Sequence, residues 1–365
     1  MRTLGRCWPS RCCTRSTRAI RSPRSHPKGS RSAPRRAAPP AVRAVRRSSR
    51  APTVPRILYI MPEPGAATGG NKVSFRHVDA LVAMGYDARI RTAPGQARPW
   101  WFASTAPVEE SDRRPGPDDI LVLPEDDPDV LAAHAGLPNR KVVFCQNPFY
   151  AVKGLPALPR EAQAAYRTFM ACSPGVAAWI ARYLDYDVIA TVPGFADERL
   201  FQPAEKAAVI ASMPRKRPLE QRVIRHMFER QYAGAVDWRW EVIERRTEAE
   251  AARALGSASV FLSLARHEGM SMTIVEAMAC ECLVAGFTGL GPREYTTPLN
   301  GFWAEEDDCE AATEALLRAV RLAEAGGGPA ALMRHAARGA AAGWTHAGFV
   351  QALATFWRDE LGVTP

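Results

Sequence analysis

The sequence contains no run of 18 consecutive apolar residues, so it predicts no helix that could span a membrane. No apolar segment follows the first residues, which argues against a secretory signal. Paired Cys-x-x-Cys motifs are also missing, and the single Cys280-x-Cys282 spacing is not that of a zinc site. We therefore interpret the cysteines beyond residue 55 as buried thiols of a protein in the reducing cytoplasm.

Asp and Glu are absent from residues 1–55, which hold 14 Arg and one Lys. The whole chain carries a net charge of +10, so the remaining residues carry −5 and the positive excess lies in this N-terminal tail. The tail has few aliphatic residues. We expect it to be disordered, because it cannot bury enough apolar surface to offset the entropy of ordering.

Three interpretations of the tail stay open. It is a translation start placed too far upstream, an Arg-rich targeting peptide, or a basic arm that contacts nucleic acid or anionic lipid. Because the part that can fold is mildly acidic, we do not expect nucleic acid as a partner. The tail leaves peripheral contact with a membrane open.

No Gly-x-Gly-x-x-Gly motif follows a first strand, which disfavours a dinucleotide-dependent oxidoreductase. Short apolar runs instead alternate with amphipathic segments, beginning at Ile57–Met61 and again at Val209–Met213. This alternation predicts an α/β protein with two Rossmann-like doubly wound domains that face a cleft. We predict four parts along the chain: the tail 1–55, domains 56–203 and 204–340, and a last helix 341–365 that crosses back to the N-terminal domain.

The stretch Val260–Ala279 carries the most chemical information. An apolar strand runs into a loop with Gly269 and then into a helix, whose first amides have no intrahelical partner and can bind an anion such as a pyrophosphate. Glu268 and Glu276 lie eight positions apart around this turn, so both can face a cleft at the strand ends. Thr273-x-x-Glu276 also fits a capping box, in which Glu276 only accepts a backbone hydrogen bond.

Glu268-x7-Glu276 resembles the Glu-x7-Glu signature of the retaining glycosyltransferases of family 4, which have the two-domain GT-B fold. Further similarities follow in order along residues 56–361. These are the glycine pair Gly69-Gly70 before the first helix, the segment 192–203 between the domains, and the closing helix 345–361. The resemblance implies an N-terminal acceptor domain and a C-terminal donor domain for a nucleoside diphosphate sugar.

The resemblance also implies roles for single residues. Glu276 would bind the ribose hydroxyls of the donor, and Glu268 would face the transferred sugar as the catalytic residue. The remaining donor-site candidates are the turn Gly269, Met270, Ser271, Met272 and Thr273, the cations Arg215, Lys216 and Arg217, and Glu294. Gly69 and Gly70 would form a loop at the diphosphate or the acceptor.

Alternatives accompany several of these assignments. The three cations lie between prolines and could be a solvated basic turn, and Glu294 could belong to an ordinary turn. Glu281 replaces the glycine usual in the family, and the segment Phe144–Phe149 lacks the family's acceptor-side His. Trp100 and Trp101 could line an acceptor cleft or simply be packed.

We therefore predict transfer of a sugar from a nucleoside diphosphate sugar to an acceptor hydroxyl, with retention implied by the resemblance alone. We expect neither metal nor cofactor, because the cationic trio can neutralise the leaving diphosphate. Two alternatives remain: a sugar-nucleotide epimerase or phosphorylase of the same fold, and a catalytically idle sugar-nucleotide-binding protein.

Overall fold

The structure, a computed structural model, describes residues 55–365. The predictions for the basic tail concern residues that lie almost entirely outside this range. Two parallel sheets form the framework of the described part. We call the first sheet with its helices the N-terminal half and the second sheet with its helices the C-terminal half.

The first sheet has seven strands in the order β3-β2-β1-β4-β5-β6-β7, and every neighbouring pair is parallel. The strands are β1 Ile57–Ile60, β2 Ala88–Thr92, β3 Val108–Glu110, β4 Ile120–Pro124, β5 Arg140–Cys145, β6 Thr168–Ala171 and β7 Val188–Thr191. The order turns at β1, which pairs with β2 on one side and with β4 on the other. Open α/β sheets bind ligands at such a turning point, beyond the carboxyl ends of the strands.

The second sheet has five parallel strands in the order β12-β11-β10-β8-β9. The strands are β8 Ala207–Ser212, β9 Arg239–Val242, β10 Ala258–Leu264, β11 Leu283–Phe287 and β12 Phe302–Ala304. β10 lies at the centre and all seven of its residues are buried. A strand that is buried along its whole length is typical of a parallel sheet covered on both faces.

Helices connect the strands and cover both sheets. They are α1 Gly69–Ala83, α2 Pro128–Ala135, α3 Pro148–Ala151, α4 Arg160–Gln163, α5 Pro174–Leu184, α6 Pro218–Gln231, α7 Glu248–Ser257, α8 Met272–Ala279, α9 Cys309–Ala325, α10 Gly327–Ala341 and α11 His346–Thr355. Their starts follow from local sequence: Thr68 caps α1, Ser173 caps α5 ahead of a proline, and Thr247 with Glu250 forms a capping box on α7.

The chain returns to the N-terminal half at its end. Phe349 and Leu353 of α11, with Phe356 and Trp357 of the following π-helix Phe356–Glu360, are fully buried in the core of the first sheet. His77 of α1 stacks against Phe349 at 5.2 Å between ring centroids. The last helix therefore ties the C-terminal half to the first sheet.

The α/β fold class predicted from the sequence is confirmed. The apolar runs Ile57–Met61 and Val209–Met213 correspond to β1 and β8, whose ends differ by one or two residues. Glu281 has a φ of +59°, in the left-handed region that favours glycine, and its carboxylate bonds Arg338 at 2.6 Å. The helix end therefore keeps the glycine conformation although a glutamate occupies it.

Candidate donor and acceptor site

Two adjoining cavities lie beyond the carboxyl ends of the strands of both sheets. The first, of about 600 Å³, is lined by residues that follow β1, β4 and β5 and by residues that follow β8 and β10. We call it the acidic cavity, because five acidic side chains contribute to its wall: Glu63, Glu125, Asp126, Asp127 and Glu268.

The second cavity, of about 810 Å³, is lined by Trp100 and Trp101, and we call it the tryptophan cavity. Lys72, Glu248 and Glu276 also line it. The two cavities share Gly69, Arg215, Lys216, Glu268, Met272 and Thr273. They are therefore neighbouring compartments of one cleft, and the shared residues form the boundary between them. The two tryptophans lie on the Glu276 side of this boundary rather than beside the acidic wall.

The turn from β10 to α8 forms much of that boundary, and the whole run from Gly269 to Thr273 lines the acidic cavity. Ser271 occupies the N-cap position of α8, but its side chain makes no capping hydrogen bond. The first amides of the helix therefore lack a side-chain acceptor and can serve an anion. Tyr295 donates its hydroxyl to Ser271 O at 3.0 Å, which fixes the position of the turn.

Gly269 lies at a close approach between the two halves. A Cβ atom there would lie 2.1 Å from Gln146 O, so the position accepts no larger residue without a shift. Asn147 Nδ2 donates to His267 O at 2.6 Å, and the His267 ring lies 4.7 Å from Phe149. His267 is thus a loop residue packed against the N-terminal half.

Glu276 is buried, with 4% of its surface exposed, and lines the tryptophan cavity. Its Oε1 accepts a hydrogen bond from Lys72 Nζ at 2.9 Å, and burial raises the pKa of its carboxyl. Ser271 rather than Thr273 occupies the N-cap position of α8, so the capping box suggested for Thr273 and Glu276 does not form. The side chain instead faces the cleft, together with Glu268.

Glu268 and Lys216 form an ion pair of 2.9 Å on the boundary between the cavities. Lys216 Nζ also donates to Arg266 O at 3.0 Å. Arg215 is exposed and lines both cavities, and among residues 55–365 it has no hydrogen-bond or ion-pair partner. The short 3-10 turn Pro214–Lys216 therefore presents two cations to the cleft.

Arg217, the third predicted cation, points away from the cleft. It is fully buried, its Nε donates to Ala265 O at 3.1 Å, and its guanidinium stacks on Phe287 at 4.3 Å. Glu220, Glu306 and Asp307 accept its remaining hydrogen bonds. The sequence could not separate Arg217 from its neighbours, because the tight turn alone decides which cation points inward. We correct its assignment to a structural one.

Glu294 also lies apart from the residues that line the two cavities. Its Oε1 accepts hydrogen bonds from Ser173 Oγ at 2.8 Å and from Gly175 N at 2.6 Å. Both partners belong to the start of α5 in the N-terminal half. Glu294 therefore joins the two halves at a helix N-terminus, and we reassign it from donor binding to this contact.

The predicted glycine pair lies at the cleft. Gly69 and Gly70 begin α1 and line the acidic cavity, and Gly69 also lines the tryptophan cavity. A Cβ atom on Gly69 would lie 2.7 Å from Met272 Cε, so the loop presses directly on the start of α8.

Glu125 is a candidate that the sequence analysis missed. It follows β4 directly, lines the acidic cavity and is 5% exposed. Its Oε1 accepts a hydrogen bond from Gln146 N at 2.9 Å, and burial raises the pKa of its carboxyl to about 8. The run Glu125-Asp126-Asp127 after an apolar strand was the available signal, as acidic residues at a strand's carboxyl end reach the ligand edge of the sheet.

Four cysteines of residues 55–365 are buried, and one of them, Cys172, lies in the wall of the acidic cavity. Cys145, Cys172, Cys280 and Cys282 are buried free thiols, and burial raises the pKa of Cys282 to about 11. No group of three or more His, Cys, Asp or Glu side chains within residues 55–365 is arranged to hold a metal ion. None of the helices in this range has the length and apolar character of a membrane span.

Comparison with known proteins identifies this arrangement. Residues 207–322 match the family described as Glycosyl transferases group 1. The chain is a glycosyltransferase of the GT-B type. An Alpha-1,6-glucosyltransferase of Actinobacillus pleuropneumoniae serotype 7 (strain AP76) is 28% identical over 245 residues, which is 61% of this chain and 69% of the relative.

Solved structures of other proteins share the GT-B fold of this glycosyltransferase. Sucrose-phosphate synthase from Thermosynechococcus elongatus superposes with a TM-score of 0.64 at 13% identity, over 85% of this chain and 100% of that one. The Anabaena protein HepE, in complex with UDP and glucose, superposes with a TM-score of 0.63 at 14% identity, over 83% and 99%. These structures confirm the predicted GT-B architecture. The family match and the glucosyltransferase relative confirm the predicted sugar transfer.

Proposed function

We propose that the enzyme transfers glucose from UDP-glucose to a hydroxyl group of its acceptor, with retention at the anomeric carbon. Two named relatives support the donor: one is an Alpha-1,6-glucosyltransferase, and the other was solved with UDP and glucose. Retention rests on the resemblance to family 4. The observation that carries the proposal is the placement of Glu276, Glu268 and the open amides of α8 along one cleft.

The nucleoside would occupy the tryptophan cavity. Its wall combines apolar side chains such as Trp101 and Ile243 with the carboxylate of Glu276. An apolar wall with one buried acceptor suits a base and a ribose, because the ribose hydroxyls donate to the carboxylate in surroundings that exclude water. Glu276 would thus hold the nucleotide by the hydroxyl groups of its ribose.

The diphosphate would lie on the boundary between the cavities. Arg215 and Lys216 face this point, and the amides from Gly269 to Thr273 supply further donors. In the reaction, the bond between the anomeric carbon and the diphosphate oxygen breaks, and its electron pair leaves with the diphosphate. Preorganised cations and amides stabilise that developing charge, so we propose that no metal is required.

The transferred sugar and the acceptor would share the acidic cavity. Glu268 lies where the acidic cavity meets the tryptophan cavity. Its Oε1 is 2.9 Å from Lys216 Nζ, and this ion pair holds the side chain in place. The acceptor oxygen forms the new bond to the anomeric carbon, and its proton passes to the departing diphosphate oxygen. The carboxyl groups of the acidic cavity can form hydrogen bonds with hydroxyl groups, and those that are ionised disfavour an acceptor with phosphate groups.

A thermal-shift comparison tests the donor assignment. UDP-, GDP-, ADP- and TDP-glucose are each added to the wild type and to Glu276→Ala, since a ligand stabilises the state that binds it. We expect UDP-glucose to raise the melting temperature of the wild type and to have little effect on the variant. Equal shifts in both proteins would remove Glu276 from the donor site.

Product analysis separates transfer from the alternatives. A transferase releases free UDP together with a glycoside, an epimerase converts UDP-glucose without releasing UDP, and an idle binding protein does neither. The anomeric proton of the glycoside, observed by NMR during the first turnovers, tests retention. Unchanged rates in the presence of a chelator are expected if no metal takes part.

A further inference from the structure

Lys72 reaches from α1 of the N-terminal half to two carboxylates of the C-terminal half. Its Nζ lies 2.9 Å from Glu276 Oε1 and 3.0 Å from Glu248 Oε1. The three side chains are at most 8% exposed. A buried ammonium requires such partners, because taking a lone charge out of water costs several kcal/mol.

The remaining hydrogen bonds around Lys72 leave one carboxylate oxygen of Glu276 without a partner among residues 55–365. Arg76, one turn later on α1, donates to Glu248 Oε2 at 2.6 Å, so both oxygens of Glu248 are bonded. Glu276 is bonded through Oε1, whereas its Oε2 has no hydrogen-bond partner among residues 55–365. Because Glu276 lines the tryptophan cavity, Oε2 is the oxygen that a ligand there can reach.

Lys72 also favours the ionised form of Glu276. Burial raises the pKa of Glu276 and the nearby Glu248 raises it further, while the charge and hydrogen bond of Lys72 lower it. Arg245 and Arg246 line the same cavity from the loop after β9, and the Cys280 thiol follows one turn later on α8. Lys72 is the cation in direct contact, so without it Glu276 would take up a proton at a higher pH.

We infer that Lys72 is a positioning residue of the donor site, which holds Glu276 Oε1 and keeps the carboxylate ionised so that Oε2 accepts the ribose hydroxyls. This inference rests on the proposed function, in which Glu276 binds the ribose. It assigns the N-terminal half a part in binding the donor: the nucleotide site is complete only when α1 lies against the C-terminal half.

The test is the dissociation constant of UDP, or of the nucleotide that the thermal-shift comparison selects, between pH 6.5 and 9. The proteins are the wild type, Lys72→Met and Lys72→Arg. We expect Lys72→Met to bind about tenfold more weakly near pH 7, as for the loss of a charge-assisted contact. The loss should shrink as pH rises, because deprotonation of Glu276 restores the acceptor. Lys72→Arg should stay close to the wild type throughout.

Two controls isolate the role of Lys72. Arg76→Met removes a cation from Glu248 but none from Glu276, so its affinity relative to the wild type should not change with pH. Lys72→Met should lose affinity for uridine by the same factor as for UDP, because the effect acts through the ribose. A loss confined to UDP would mean that Lys72 contacts the diphosphate, and would overturn the inference.

The remaining outcomes separate the inference from the proposed function. A loss in Lys72→Met that is equal at every pH would make Lys72 only a structural bridge. If Glu276→Ala binds UDP as the wild type does, the proposed function fails. If Glu276→Ala loses UDP while Lys72→Met binds it normally, only the inference fails. Should Lys72→Met not fold, Lys72→Gln keeps a hydrogen-bond donor without the charge, and the same pH-dependent loss is expected.

Discussion

Lys216 Nζ and Glu268 Oε1 lie 2.9 Å apart at the point where the two cavities of the cleft meet. One side chain follows β8 and the other follows β10, and these strands are neighbours in the second sheet. The pair therefore lies where the proposed sugar and diphosphate meet, and its position can be tested from either partner.

Glu268→Gln keeps the size of the side chain but removes its charge. We expect kcat for transfer from UDP-glucose to fall by about 100-fold, as when a preorganised group is lost from a reaction centre. The affinity for UDP should change little, because Glu276 rather than Glu268 faces the ribose. Release of UDP measures the first quantity and isothermal titration the second. A normal kcat would exclude Glu268 from the reaction.

Arg215→Ala should affect nucleotide binding and Arg217→Ala should affect stability, although the two positions are close in sequence. Arg215→Ala is expected to weaken UDP binding about tenfold and to leave uridine binding and the melting temperature unchanged, because its guanidinium only faces the cleft. Arg217→Ala is expected to lower the free energy of unfolding by about 3 kcal/mol, because Arg217 is fully buried.

The matched measurement for this pair is UDP affinity together with thermal unfolding. If Arg217→Ala unfolded like the wild type, its burial over Phe287 would contribute nothing to stability. If Arg215→Ala bound UDP normally, Arg215 would not contact the diphosphate.

Glu125→Gln should change how stability depends on pH. The pKa of Glu125 is about 8 in the folded protein, compared with 4.5 for the free side chain. Between these values the unfolded chain releases a proton that the folded protein keeps, so the wild type loses about 1.4 kcal/mol per pH unit relative to the variant. Below pH 4.5 and above pH 8 the difference should be constant.

Chemical denaturation of both proteins at several pH values measures this difference. Since other titrating groups are common to the two proteins, their contributions cancel. A difference that does not change between pH 5 and pH 8 would show that Glu125 is ionised in the folded protein.

Gly269→Ala should impair transfer through sterics alone. The added Cβ would lie 2.1 Å from Gln146 O, so the turn or the facing strand end must move. Displacement by about 1 Å of groups that bind the reacting atoms can cost about 100-fold in rate. Gly136→Ala is the control, because no atom lies within 4 Å of its added Cβ and its φ of −76° suits alanine. Equal activities of the two variants would contradict the close approach.

Much of the framework could be predicted from the sequence, because continuous apolar runs such as Ile57–Met61 alternate with amphipathic segments. The strands β3, β7 and β12 are only three or four residues long and carry little periodic signal. Glu268 and Glu276 could be placed at one turn from their spacing. The contacts of Lys72 could not be predicted, because Glu248 and Glu276 lie 176 and 204 positions away from it in sequence. Only the packing of the two halves against each other brings these three residues together.

The crystal structure of the enzyme with UDP tests the central claim most directly. We predict the ribose hydroxyls within about 3 Å of the Glu276 carboxylate, a typical hydrogen-bond distance. The diphosphate should lie against Arg215, Lys216 and the amides that begin α8. A nucleotide bound elsewhere, or one whose ribose has no contact with Glu276, would contradict this account.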